Sequence, residues 1–134
     1  MVSELDVPRE VTSADPLTAK IIGAAIQVHR ELGPGLLESA YQRCLHHELG
    51  LQNLRTQIEV PLPVLYRGLA LECGYRMDLV VESSIIVEVK SVDKLLPIHE
   101  SQLLTYLRLS GLRTGLLLNF NCAYLRNGIK RMVL

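Results

Sequence analysis

G-Y-R-M-D-L-V-V-E-S-S-I-I-V-E-V-K, from Gly74 to Lys90, holds two apolar runs separated by Ser83-Ser84, with an acid near the far end of each. Leu69, Leu71, Cys73, Tyr75, Met77, Leu79 and Val81 alternate along the first run, which predicts one long strand over 69–81. Ser83-Ser84 reads as a turn, and Ile85 to Lys90 as the strand that returns. A turn centred on Ser83 sets Asp78 directly opposite Glu88. Alternation then puts Asp78 on the face away from Met77 and Leu79, and Glu88 on the face of Ile86 and Lys90. Two carboxylates facing each other across adjacent strands repel. Their neighbours Leu79, Val80, Ile86, Val87 and Val89 deepen the penalty by excluding water. A positive partner is required there. It is either Lys90, two residues from Glu88 on the same face, or a hard divalent cation, for which oxygen ligands are suited.

Downstream, Ile98 to Leu109 has helical spacing closed by Gly111, and Thr114 to Phe120 is a nearly unbroken apolar run. Such a run suits a strand buried on both faces, so strand 85–90, helix 98–109 and strand 114–120 form a βαβ unit with parallel strands. Ile129 to Leu134 adds a last short strand. Upstream, Asp15 caps a helix whose first position is Pro16, with Leu17, Ile21, Ala24, Ala25, Val28 and Leu32 as its stripe and Gly33 as its stop. Pro34-Gly35 turns the chain. A second helix covers about 36–49, with Leu37, Tyr41, Cys44, Leu45 and Leu49 apolar and Gly50 at its end. Ile58 to Tyr66 then alternates as a strand, and Pro61 and Pro63 at outward positions make it an edge strand. The order α-α-β-β-β-α-β-(β) predicts an α/β fold, a mixed sheet flanked by helices. Residues 1–14 lack periodicity and read as a flexible tail before one domain over 15–134.

The 134 residues are 49% hydrophobic and 21% charged with only 9 Gly and 6 Pro, which excludes a disordered or collagen-like chain. No apolar run approaches the roughly 18 residues of a membrane span, and the N-terminal stretch has no signal-like apolar segment. Cys44, Cys73 and Cys122 show no C-x-x-C spacing. They read as buried thiols of a protein in a reducing cytoplasm. The net charge of zero conceals a split: no acid follows Glu100, whereas Arg108, Arg113, Arg126, Lys130 and Arg131 do. A one-signed stretch is either a solvated face or a surface for phosphates. Phosphate-loop, H-E-x-x-H and G-x-S-x-G motifs are all missing, and Gly33-Pro34-Gly35 follows a helix and lacks the third glycine of a dinucleotide loop.

G-Y-R-M-D (Gly74 to Asp78), followed by E-V-K (Glu88, Val89, Lys90), resembles the PD-(D/E)XK nuclease superfamily. Q-L-L-T-Y (Gln102 to Tyr106) is similar to the Q-x-x-x-Y element of its RecB-type exonuclease branch. G-L-L-E-S-A-Y (Gly35 to Tyr41) is similar to the pattern that names the small GxxExxY proteins. The elements keep the family's order over residues 17–134, and the one departure is Met77 where the superfamily's name has proline.

The resemblance implies a restriction-endonuclease-like fold and a Mg²⁺-dependent nuclease, with Mn²⁺ able to substitute, acting on nucleic acid and on DNA before RNA. Asp78 and Glu88 would ligate the metal with the Val89 carbonyl, and Glu38 would complete the site directly or through water. Lys90 would orient the attacking water and stabilise charge on the phosphate, and Gln102 and Tyr106 would line the site. Arg126, Lys130 and Arg131 would grip backbone phosphates. No recognition module is visible, so non-specific or structure-selective cutting is expected, by a homodimer or with a protein partner; the alternative is a catalytically weak nucleic-acid-binding or accessory module with the same fold. Taken singly, several residues also allow plainer readings. Glu38 suits a helix N-terminus, Tyr106 suits a core, and His29 and His99 suit core or capping places.

Overall fold

The computed structural model describes residues 15–134, so the expected tail over 1–14 lies outside the described residues. The elements run α1 (Pro16–Leu32), α2 (Glu38–Leu51), β1 (Thr56–Pro61), β2 (Val64–Tyr66), β3 (Leu69–Leu71), β4 (Arg76–Val81), β5 (Ile85–Lys90), α3 (Pro97–Ser110), β6 (Thr114–Asn119), a 3₁₀ turn (Leu125–Gly128) and β7 (Ile129–Val133). Strands β1-β4-β5-β6-β7 form one sheet in that order, and β2 and β3 form a separate hairpin. The β5–β6 pair is parallel, with Ile85 opposite Thr114 and Glu88 opposite Leu117, as the βαβ reading requires. The other neighbours in the large sheet are antiparallel, so the sheet is mixed.

Local chemistry sets the helix ends. Asp15 accepts the Leu17 N–H and the Thr18 hydroxyl, both at 3.0 Å, and Gly33 ends α1 at a positive φ of 67°. Helix α2 starts at Glu38 and passes through Gly50, later at both ends than its stripe suggests. The Gln52 N–H still reaches the Glu48 carbonyl at 3.3 Å, so a glycine in the last turn need not end a helix.

Helices α1 and α2 cover one face of the sheet, where Ile21, Ile22, Tyr41, Leu45, Val87 and Leu116 pack with Phe120. Helix α3 covers the other, where Leu103, Tyr106 and Leu107 meet Val80, Ile86 and Leu117. Strand β5 is therefore buried from Ile85 to Val89, which explains its near-continuous apolar sequence. Close approach of α3 fixes Gly115: a Cβ there would stand 2.7 Å from Leu103 Cδ1.

Four expectations are corrected. The strand expected over 58–66 breaks at Leu62, which turns inward at 5% exposure and donates its N–H to the Tyr75 carbonyl at 2.9 Å. The long strand expected over 69–81 is two strands, because residues 72–75 are irregular and β3 pairs only with β2. Met77 does not share a face with Leu79: it packs on the α3 side and Leu79 on the α1–α2 side, so the alternation fails at Asp78. Cys44 and Cys73 are exposed rather than buried, because the inward face of α2 is Tyr41, Gln42, Leu45 and Leu49 and Cys73 lies in the irregular segment.

Candidate active site

The β4–β5 ladder runs through Val81–Ile85, Val80–Ile86 and Leu79–Val87, the register that a turn at Ser83 predicts. Past Leu79 the backbone pairing gives way to side chains. The Asp78 N–H donates to Glu88 Oε2 at 2.8 Å, and the Val89 N–H donates to Asp78 Oδ2 at 2.8 Å. The two acids thus close the gap where the strands part, and each is held by a backbone donor of the opposite strand.

Both carboxyls sit in surroundings that disfavour charge. Glu88 is 3% exposed. Burial, with the neighbouring Asp78 charge second, pushes its pKa up to about 8, against the Asp78 N–H and Lys90. Burial also raises Asp78, opposed by the Val89 N–H and by Lys90 and reinforced by Glu38 and Glu59. Lys90 does not close an ion pair on either acid: among the described residues the ion pairs are Arg55–Glu82 and Lys130–Glu100. Its Nζ instead donates to Gln102 Oε1 at 3.2 Å, and Gln102 Nε2 donates to the Tyr106 hydroxyl at 3.3 Å. Tyr106 is pushed up by burial and by the charges of Glu88 and Asp78.

Glu38, the first residue of α2, is exposed and accepts the Ser91 N–H at 3.4 Å, while the Ser91 hydroxyl donates to the Leu36 carbonyl at 2.7 Å. Residue 91 directly follows β5, so these bonds tie the α1–α2 loop to the end of the strand that carries Glu88 and Lys90. Tyr41 fixes the same loop from inside. Its hydroxyl donates to the Gly33 carbonyl and accepts the Leu36 N–H at 3.1 Å, and its ring stacks on Phe120 at 4.5 Å.

The two acids keep donor atoms for a hard divalent cation. Asp78 Oδ1 and Glu88 Oε1 receive no hydrogen bond from the described residues, which leaves one oxygen on each acid to offer. The raised affinity of both for protons is what a cation would replace. No group of three or more His, Cys, Asp or Glu side chains is gathered closely enough to ligate a metal among the described residues. Two carboxylates with the remaining positions left to water and phosphate suit Mg²⁺.

The three basic residues expected to grip phosphates are not one patch. Neighbours on β7 point to opposite faces: Ile129 packs with the α1–α2 cluster and Met132 with the α3 cluster. Arg131 therefore belongs to the α1–α2 face, and its Nε is buried without a partner among the described residues. Lys130 belongs to the α3 face, opposite Leu117, which in turn lies opposite Glu88. It pairs with Glu100 at 3.6 Å. Arg126 is exposed on the 3₁₀ turn and lines a cleft of about 470 Å³ with Arg30 and Tyr124.

Sequence reasoning left out two residues. Glu59 stands at the β1 position that the register sets against Asp78, at a φ of 52°, and adds negative charge to that acid. Asn119 accepts the Val92 N–H at 3.1 Å and donates to its carbonyl at 2.9 Å, clamping the segment after Lys90. The β1–β4 register, the signal for Glu59, was hidden by the false continuity of the strands on either side of Leu62. His29 and His99 hold the places expected of them: His29 Nε2 lies 2.8 Å from the Cys122 carbonyl in the core, and His99 Nδ1 accepts the Leu96 N–H at 2.9 Å.

No curated protein and no solved structure matches this chain. A family model, PD-(D/E)XK nuclease superfamily, matches residues 15–132, from the cap of α1 into β7. The match takes in the paired acids, Lys90 and the helices on either face of the mixed sheet, an arrangement consistent with the restriction-endonuclease-like fold. The chain belongs to the PD-(D/E)XK nuclease superfamily.

Proposed function

We propose that the protein is a metal-dependent nuclease that hydrolyses phosphodiester bonds of nucleic acid, DNA before RNA. The observation that carries this reading is the pair of buried Glu88 and half-buried Asp78, held side by side with raised proton affinity and no ion pair to either among the described residues. A structural cluster would be better served by direct contact with Lys90, whereas a catalytic one needs the acids ready for a cation and the lysine free for substrate. The superfamily typically uses a divalent metal, and such a cation supplies an acidified water and positive charge for the phosphate.

The chain's own residues then divide the work. Asp78 and Glu88, with the Val89 carbonyl beside them, hold the cation. Glu38, kept at the mouth by Ser91, acts through water. Lys90, aimed by Gln102, places a second positive charge where charge grows on the phosphate oxygens. Tyr106 in turn fixes Gln102. The G-x-x-E-x-x-Y residues Gly35, Glu38 and Tyr41 serve as the brace that sets Glu38 against the end of β5, which supports a place for the chain among the GxxExxY proteins.

The test is cleavage of linear and circular, single- and double-stranded substrates with Mg²⁺ or Mn²⁺, beside an Asp78→Asn/Glu88→Gln variant. Scission that the variant lacks supports the nuclease reading. Metal binding by the wild type without scission points instead to an accessory module.

A further inference from the structure

A groove of about 510 Å³ opens between the β2–β3 hairpin and α3, and it shares Gln102 and Tyr106 with the candidate site. Val64 and Leu71 form its hairpin wall, and Ile98 and Leu109 its helix wall. Tyr75, 46% exposed, lines the groove with its ring edge-on to Tyr106 at 6.4 Å between centroids. Ser101, Gln102 and Thr105 place polar groups along one side, and among the described residues no Lys, Arg, Asp or Glu lines it. Gln102 and Tyr106 belong both to this groove and to the hydrogen-bonded chain that ends at Lys90.

A wall without cations cannot hold the phosphate backbone, whose attraction is electrostatic. A flat π-system is different: it gains from an aromatic face, apolar walls and a few polar groups at its edge. In a duplex that π-face is stacked and unreachable, so only an unpaired base can enter. We propose that the groove takes an unpaired nucleobase next to the scissile phosphate, so that the protein selects single-stranded or frayed nucleic acid. The position of the phosphate rests on the nuclease reading; binding of the base does not.

The experiment measures binding of a fluorescein-labelled 12-nucleotide DNA, as a single strand and as a blunt duplex, by the full chain in Ca²⁺, with cleavage of both in Mg²⁺ run in parallel. The single strand is expected to bind at least ten times more tightly. Tyr75→Ala should weaken that binding about tenfold and leave the duplex unchanged, while Tyr75→Phe keeps the wild-type affinity. Equal affinity for the two forms, or no effect of Tyr75→Ala, overturns the proposal. Should Tyr75→Ala fail to fold, Ser101→Trp fills the groove from exposed helix surface, and unchanged single-strand binding in that variant overturns it equally. Scission without strand preference removes the base groove and keeps the nuclease; strand preference without scission does the reverse.

Discussion

Glu88 accepts the backbone N–H of Asp78, and Asp78 accepts the backbone N–H of Val89, both at 2.8 Å, so each acid replaces a ladder carbonyl for the other strand. Repulsion between the acids is thereby held in place rather than relieved, because removing either side chain would strip a strand of its hydrogen-bond partner. Stability should therefore depend on pH in a defined direction. Glu88 has a folded pKa of about 8 against an ordinary 4.5, so the folded protein retains a proton that the unfolded chain releases. The stability that this proton confers is complete below about 4.5 and is lost as pH rises towards 8. In metal-free buffer Tm should fall over that window, and Glu88→Gln should flatten most of the fall. An unchanged slope in the variant would assign it to other groups.

Neutral amide variants should separate charge from hydrogen bonding. Asp78→Asn keeps an acceptor for the Val89 N–H and removes a charge that burial disfavours, so its stability should equal or exceed that of the wild type. Asp78→Ala also removes that charge but abandons the N–H, at a cost of about 1–3 kcal/mol. Alanine should thus be the less stable of the two by about that amount in denaturant titrations. Both should lose divalent-metal binding. Because Glu88 holds its proton until about pH 8, metal uptake at pH 7 should release a proton, visible as a buffer-dependent heat in calorimetry.

Lys90→Met should keep metal affinity and lose cleavage. Its Nζ bonds Gln102 rather than an acid, so the metal-holding pair stays intact. Removal of one preorganised donor at a reacting centre costs about 10²–10³ in rate. Equal loss of metal binding and activity would make Lys90 a structural counterion instead.

The βαβ unit was legible because its signals are local. Five buried positions in a row, a helix closed by Gly111 and a second buried run leave few alternatives. The Asp78–Glu88 pairing was legible because the turn between the strands is too short to allow a different register. Legibility failed where a pattern continued through a break. Ile58 to Tyr66 keeps its period of two across Leu62 and Pro63, although the Leu62 N–H leaves the β1–β4 ladder for Tyr75. That false continuity hid both the separate hairpin and the placement of Glu59. The basic C-terminal stretch misled differently: adjacency in sequence put Lys130 and Arg131 together, and a strand puts neighbours on opposite faces.

That separation predicts unequal roles for the three basic residues. Arg126 is exposed, and Lys130 lies on the face that carries Glu88. Alanine at either should lower the salt slope of DNA binding by about one, less at Lys130 because Glu100 already pairs it. Arg131→Ala should change stability more than the slope. Titrations of DNA binding against salt for the single variants check this, and equal slopes for all three would restore a common patch.

Tyr41→Phe tests the brace between the α1–α2 loop and β5. The phenol is fully buried, and its hydroxyl serves the Gly33 carbonyl and the Leu36 N–H. Phenylalanine keeps the stacking on Phe120 and leaves both backbone groups short of a partner, at a cost of about 1–3 kcal/mol. The loop that loosens is the one that Ser91 joins to Glu38 and Leu36. Asp78 and Glu88 are held by β4 and β5 and do not depend on it. Calorimetric metal affinity should therefore stay near wild type while Tm falls and cleavage weakens, a combination that Glu38→Gln should reproduce in activity but not in Tm. Loss of metal affinity in Tyr41→Phe would mean that the brace shapes the acid pair itself.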